Sequence, residues 1–189
     1  MTSSDAQKVL KQSFQLKTND IIIENVDFKD PEASRLIKKY CLHSAPFDYV
    51  SNFNSISSRA ASSESFIELL EHQCHLSIAA KSKEGEYLLF IFLKKKIKVI
   101  DLYFAMPNTK LNLSPAVIRH CFYRLCLEAI KHFSIEEIEG KIFRKNKKNG
   151  MRLFFKRYIK AMTYEEIEDK PYDYVYLSKE SILDHYEKL

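Results

Sequence analysis

The stretch KVIDLYFAMPNTKLNLSPAVIRHCFYRLCLEAIKHF, residues 98–133, decides how the rest of the chain is read. Val99, Ile100, Leu102, Tyr103 and Phe104 make a β-branched and aromatic run of strand length, and residues 106–113 supply the Pro, Asn and Thr that end such a run. Ser114 is a good N-cap, and Pro115 suits the first helical position, where its missing N–H would have had no partner. Beyond it Val117, Ile118, Cys121, Phe122, Leu125, Ala129, Ile130 and Phe133 recur at three- and four-residue spacing, predicting a long helix with one apolar face. Arg119, His120, Tyr123, Arg124, Glu128, Lys131 and His132 fall on the other face. A strand that runs into a helix N-terminus sets free backbone N–H groups and the positive end of a dipole beside the strand's end, a common place to hold a phosphate. The functional site is expected there.

Working outward, 189 residues suffice to bury a sizeable core, and one domain over 19–178 is expected, with an N-terminal extension at 1–18 and a C-terminal helix or tail at 179–189. Gly85, Gly140 and Gly150 are the 3 glycines, so none lies in the loop before Ser114. A net charge of +5 comes from 30 basic residues interspersed with 25 acidic ones, which reads as a solvated surface, with phosphate-bearing ligands as the sharper alternative. Residues 1–16 lack the apolar run of a signal peptide, and no stretch approaches the roughly 18 apolar residues of a membrane span, so a cytoplasmic protein is expected. Cys41, Cys74, Cys121 and Cys126 show no CxxC spacing and are expected to be reduced and mostly buried. The group His72, Cys74, His75 has too few ligands for zinc, and no metal site is expected.

Strands are expected at 20–28, 75–81, 86–93, 135–143, 161–168 and 172–177, besides the central one. Asp30 and Pro31 start a helix with Leu36, Ile37, Tyr40 and Cys41 on its apolar side, and shorter helices are read at 64–72 and 150–158. Lys83, Glu84 and Gly85 make a hairpin turn, and residues 87–93 are unbroken apolar, as in a strand buried on both faces. The serine-rich segment 44–65 has no clear periodicity and reads as a functional loop or a plain connection. The order β-α-α-β-β-β-α-β-α-β-β puts three strands before the crossover and is not a doubly wound pattern. It predicts an α+β fold, a mixed, largely antiparallel sheet of about seven strands with helices on both faces.

That order resembles the GNAT family of N-acetyltransferases over residues 20–178. Asp101 to Pro107 (DLYFAMP) is similar to the family's fourth strand with its frequent proline, and Ile142 to Asn146 (IFRKN) to the end of the fifth strand with its asparagine. Phe154 to Ile159, with the later segments TYEE and KPYDYVYL, is similar to the closing helix and hairpin. The resemblance implies acyl-coenzyme A, acetyl-CoA or another, as donor and an amine, on a small molecule or a protein, as acceptor. It implies that the fourth and fifth strands splay apart, that the donor's arm pairs with Phe104, Ala105 and Met106, and that its diphosphate meets Lys110, Leu111, Asn112, Leu113 and Ser114, with Asn146 and Asn149 near the fifth strand's end. A homodimer is an additional expectation.

The chain departs from the family twice. Where the family has a glycine-rich loop, it has Leu111, Asn112, Leu113, Ser114 and Pro115, so an altered diphosphate cradle is expected. Where many members have a tyrosine that protonates the departing thiolate, it has Phe154 and Phe155, which have no proton to give, and Tyr158 one turn on is the candidate substitute. Candidate bases toward the ammonium are Asp101 and Tyr103 on one face of the central strand, and Glu137 and Glu139 on one face of the next. Three readings follow. The chain is an N-acyltransferase, or a catalytically degenerate binding or regulatory module of the same fold, or, third, a nucleic-acid-binding protein using Arg144, Lys145, Lys147, Lys148, Arg152, Lys156 and Arg157.

Overall fold

The computed structural model describes residues 20–43, 63–108, 110–143, 157, 159–166 and 172–188. A single sheet of seven strands holds them together, in the order β1-β2-β3-β4-β5-β7-β6. The strands are β1 (Ile21–Asn25), β2 (Leu76–Ser82), β3 (Tyr87–Lys95), β4 (Ile100–Pro107), β5 (Glu137–Phe143), β6 (Thr163–Glu166) and β7 (Tyr172–Ser178). Among the described residues four helices accompany them: α1 (Pro31–His43), α2 (Ser63–Gln73), α3 (Pro115–Phe133) and α4 (Lys179–Tyr186). Every neighbouring pair is antiparallel except β4 and β5, which α3 joins as a parallel crossover. No helix among the described residues is long and apolar enough to cross a membrane.

β3 makes two cores possible. All of its residues from Tyr87 to Leu93 are buried. Leu89, Ile91 and Leu93 face the larger core, which α3 and α4 close with Cys121, Phe122, Leu125, Ala129, Ile130 and Ile182. Tyr87, Phe90 and Phe92 face a smaller one, which α1 and α2 close with Ala33, Leu36, Ile37, Ile67 and Leu70. Fully burying a Leu, Ile or Phe side chain contributes about 1.5–3 kcal/mol, so the unbroken apolar run anchors both layers. The hairpin before it turns through Gly85, whose φ of 85° is the left-handed conformation that glycine adopts without a Cβ clash.

Local chemistry sets the helix starts. Asp30 Oδ1 accepts the Glu32 N–H at 3.0 Å and so caps α1, while Asp30 Oδ2 accepts the Tyr87 hydroxyl at 2.5 Å and ties that cap to β3. Ser114 caps α3, its Oγ accepting the Val117 N–H at 3.3 Å, with Pro115 in the first turn. Ser178 does the same for α4 through the Ser181 N–H at 3.1 Å.

The structure corrects the reading of α3. His120 and Tyr123, expected on its polar face, are buried, and so is Cys126. The periodicity found one apolar stripe, but α3 lies between the sheet on one side and α4 with residues 159–162 on the other. The His120 ring stacks on Tyr186 of α4 at 5.0 Å, and the Tyr123 hydroxyl accepts the Ala161 N–H at 3.2 Å. The strand expected from Ala161 starts at Thr163 because Ile159, Ala161 and Met162 are buried against α3 instead of joining the sheet. Of the cysteines, Cys121 and Cys126 are free and buried and Cys74 is free and half-buried, each thiol pushed up by burial. Residues 1–18 and nearly all of the serine-rich segment and of the expected helix 150–158 lie outside the described residues.

The Asp30 cap yields a stability prediction. Asp30→Ala removes a helix cap and leaves the Tyr87 hydroxyl without its acceptor, and it is expected to cost ~1–2 kcal/mol in chemical denaturation, with Asp30→Asn losing less because an amide oxygen still caps. The Tyr87 hydrogen bond, first, and the Glu32 amide hold the Asp30 carboxyl below its usual value of 3.8. Since its folded value is depressed, the contribution is whole above that pH and disappears as pH falls further, so wild type and Asp30→Asn converge in acid.

Candidate functional site

The site begins where β4 and β5 part. Only Ile100, Asp101 and Leu102 of β4 stand opposite β5, facing Ile138, Glu139 and Gly140. Past that point β4 continues to Pro107, still paired with β3, and β5 continues to Phe143, paired with β7. Each strand thus keeps its outer neighbour and loses the inner one, so the backbone of residues 103–107 presents an open edge toward a wedge.

Two local features open that wedge. Between Phe92 and Leu93 the partners on β4 jump from Phe104 to Leu102, so Tyr103 is an extra residue, a β-bulge. A bulge bends its strand and increases the twist, which swings the second half of β4 away from β5. At the last pair Gly140 has no side chain, and a Cβ there would meet Val175 Cγ2 at 3.2 Å and Leu102 Cβ at 3.5 Å. Glycine lets the three strands close tightly at the apex of the wedge.

The loop after β4 brings the start of α3 to the wedge. Asn108, which is buried, donates from its backbone N–H to Leu88 O (2.9 Å) and from Nδ2 to Tyr87 O (2.8 Å), and its Oδ1 accepts the Lys110 N–H at 3.1 Å. With the end of β4 pinned to β3 in this way, Leu111 and Leu113 pack against the larger core, while Lys110, Asn112, Ser114, Pro115 and Ala116 are exposed. In the first turn of α3 the Ser114 hydroxyl occupies the Val117 amide and Pro115 has none, which leaves the Ala116 amide with no partner among the described residues.

At the apex lies a charge cluster. Asp101 and Glu139 are register partners across β4 and β5, and Lys96 pairs with both, 3.3 Å from Asp101 Oδ2 and in hydrogen-bond contact with Glu139. Burial lowers the Lys96 pKa, but its pairs with Glu139 and Asp101 more than offset this and raise it above 10.5, so it stays an ammonium. Tyr103 turns toward the smaller core, with Lys94 Nζ 4.2 Å from its ring centroid, and burial pushes its hydroxyl up to about 12. It therefore stays protonated throughout the neutral range.

Of the residues anticipated from sequence, the fold brings together Asp101, Tyr103, Glu139 and the backbone of Phe104, Ala105 and Met106, with Lys110, Asn112 and Ser114 at the wedge's open end. Asn146, Asn149, Phe154, Phe155 and Tyr158 lie outside the described residues. So do six of the seven basic residues of the nucleic-acid reading; Arg157 is exposed. Lys96, Asn108 and Gly140 were not singled out. Gly140 carried a signal, since a glycine inside a strand pattern often marks close backbone approach. Lys96 and Asn108 carried none, because the partners that join them to other strands, Glu139 and Tyr87, are 43 and 21 residues away in the chain.

No family model and no curated protein sequence matches the chain. Solved structures do. A GNAT-family acetyltransferase from Bacillus anthracis is 13% identical with a TM-score of 0.57, covering 87% of this chain and 98% of its own. A spermidine N-acetyltransferase from Vibrio cholerae, in complex with CoA and spermine, is 10% identical with a TM-score of 0.58, over 87% and 99%. The ribosomal-protein-S18-alanine N-acetyltransferase of Escherichia coli is 12% identical with a TM-score of 0.52, over 84% and 93%. The chain has the GNAT fold, as the sequence resemblance implied, and the expected seven-stranded mixed sheet is its sheet.

Two substitutions test the apex. Gly140→Val is expected to destabilise by ~1–3 kcal/mol, because the added methyls overlap Val175 and Leu102, and Val175→Ala in the same chain should restore part of the loss. Lys96→Met leaves two adjacent carboxylates without their cation and should cost ~0.5–1 kcal/mol, modest because the group is half-exposed. As the Lys96 pKa is raised on folding, that difference is full below pH 10.5 and closes as Lys96 itself deprotonates at higher pH, which urea titrations at pH 8 and pH 11 would read.

Proposed function

We propose that a chain with this fold, and with this wedge, is an N-acyltransferase that moves an acyl group, acetyl being the simplest, from acyl-CoA to an amine. The observation that carries the reading is the open β4 edge beyond Leu102, beside the amide end of α3. A pantetheine arm is a chain of amides that needs strand-like hydrogen-bond partners, and the backbone of residues 103–107 offers them on the side facing β5. The diphosphate fits less fully. The Ala116 amide, Lys110, Asn112 and the dipole of α3 are suited to it, but the serine cap and Pro115 take away two of the first-turn amides.

In the reaction the ammonium gives one proton to a carboxylate, the amine nitrogen forms its bond to the acyl carbon, the carbon–sulfur bond breaks, and the second proton that the nitrogen loses balances the one the thiolate takes up. Asp101 and Glu139 stand at the apex, and either is suited to accept that proton, with Lys96 fixing their positions. Tyr103 serves as a hydrogen-bond donor and not as a base, since its hydroxyl is held protonated. For the thiolate, Tyr158 is the proposed proton donor. A second reading, a binding module that has lost catalysis, is favoured by the depleted diphosphate cradle.

Acetyl-CoA titrated into the protein separates these readings from one with no donor site. A ligand present at about a hundred times its Kd adds ~2.7 kcal/mol to native stability, worth roughly 5–10 °C in Tm for a chain of this size. The transferase reading expects that shift together with thiol release on adding an amine. A shift without release leaves the module, and no shift with acetyl-CoA or longer acyl-CoAs removes both. Lys110→Ala is expected to raise the Kd a few-fold and to flatten its salt dependence, because an exposed ammonium near a diphosphate acts through a screened charge.

A further inference from the structure

The face of β5, β7 and β6 opposite α3 and α4 carries no helix among the described residues, since α1 and α2 close over β2, β3 and β4. Register and strand alternation put Glu137, Glu139 and Lys141 of β5 on this bare face beside a row of tyrosines on β7: Tyr172, Tyr174 and Tyr176. Among the described residues no element packs over these three tyrosines. Their rings meet one another, Tyr172 on Tyr174 at 5.2 Å and Tyr174 on Tyr176 at 6.3 Å between centroids. The row already holds one ammonium. Lys141 Nζ lies 4.9 Å from the Tyr172 centroid and 5.4 Å from that of Tyr174, within the range of a cation–π contact.

Toward the closed end of the wedge the row ends at Tyr176, which is 38% exposed, and there, at the end of the strands beside the start of α4, lies a cleft of about 330 Å³. Its polar lining is Glu137, Glu139, Thr163, Tyr176, Ser178 and Ser181, and no lining residue is basic. Lys96 neutralises Glu139 and Asp101 from the β4 side, whereas Glu137 has no ion pair among the described residues. The Tyr176 hydroxyl donates to Glu165 at 3.1 Å, which holds the ring in place at the cleft. Carboxylate, aromatic face and hydroxyls together, without a basic residue, suit an ammonium and disfavour an anion.

The cleft also stands in a fixed relation to the proposed chemistry. Glu137 precedes Gly140, where the strands part, by three residues, and a strand of that length spans ~10 Å. We propose that this cleft binds a second cationic nitrogen of the acceptor, making the acceptor an extended diamine or polyamine whose reacting amine sits at the apex and whose distal ammonium sits between Glu137 and Tyr176. The assignment rests on the acyl-transfer reading above and adds the substrate class to it.

Initial rates of thiol release from acetyl-CoA, compared for butylamine and spermidine, test it, alongside calorimetric titration of spermidine into the CoA-loaded protein. The expected result is a kcat/KM for spermidine at least about tenfold above that for butylamine, the scale of one partly desolvated cation–π and carboxylate contact. Glu137→Gln and Tyr176→Leu should each remove most of that preference through KM for spermidine, with kcat changed much less. Both positions face solvent, and circular dichroism checks that the variants fold. Equal specificity for the two amines, or variants that lower both rates alike, would overturn the assignment. An acetyl-CoA thermal shift with no spermidine heat overturns the cleft and leaves the donor site standing. Spermidine heat that Glu137→Gln abolishes, in a protein that ignores acetyl-CoA, sinks the transferase and keeps the cleft as a cation site.

Discussion

The constraint on which the rest of the structure depends is the divided loyalty of β4 and β5. At their start they pair, held by Ile100, Asp101 and Leu102 opposite Ile138, Glu139 and Gly140. Beyond it each follows a different neighbour, β4 bound to β3 and β5 to β7. An unpaired strand edge in a sheet interior leaves backbone donors and acceptors without partners, a cost that a folded chain offsets only by giving those groups water or a ligand. The wedge is affordable because both outer halves of the sheet are well built. β3 is buried along its whole apolar run, and β5 pairs with β7 over its full length.

Small devices fix where the division falls. The extra residue Tyr103 bends β4 at the point where pairing stops, and Gly140 allows the closest approach one step before it. Lys96 clamps the preceding pair from the side, joining Asp101 of one strand to Glu139 of the other. Asn108 then ties the far end of β4 back to Tyr87 and Leu88, so the strand that leaves β5 is not free to wander. Bulge, glycine, ion pair and buried amide each act through a different interaction, and all four converge on one geometry: a narrow apex and an open mouth beside the start of α3.

That mouth departs from a glycine-lined cradle in a specific way. Glycines in such a loop let the backbone approach an anion and expose several amides to it. Here the two leucines of the loop are drawn onto the core, and the serine cap uses an amide that a phosphate would otherwise meet. Capping by Ser114 favours the helix by about 1 kcal/mol and competes directly with anion binding at the same turn. Stability of α3 and grip on a diphosphate are therefore opposed in this chain, while the open β4 edge is untouched by that opposition.

The sequence by itself determined the elements wherever the cause is local. Asp30, Ser114 and Pro115 announce helix starts, Lys83 to Gly85 a hairpin turn, and the run from Tyr87 to Leu93 a strand buried on both faces, because capping, turn chemistry and hydrophobic period act within a few residues. The order of those elements was enough to resemble the GNAT fold. Tertiary structure alone decided what depends on contacts distant in the chain. It buried His120 and Tyr123, which a one-stripe reading of α3 placed in solvent, because α4 and residues 159–162 arrive on that side from far along the chain, as the His120–Tyr186 contact and the Tyr123–Ala161 contact, 38 residues apart, show. It also picked Lys96 out of three consecutive lysines and Asn108 out of a polar loop. A periodic pattern reports how a segment meets one surface, whereas a site is made by the meeting of surfaces that no local pattern encodes.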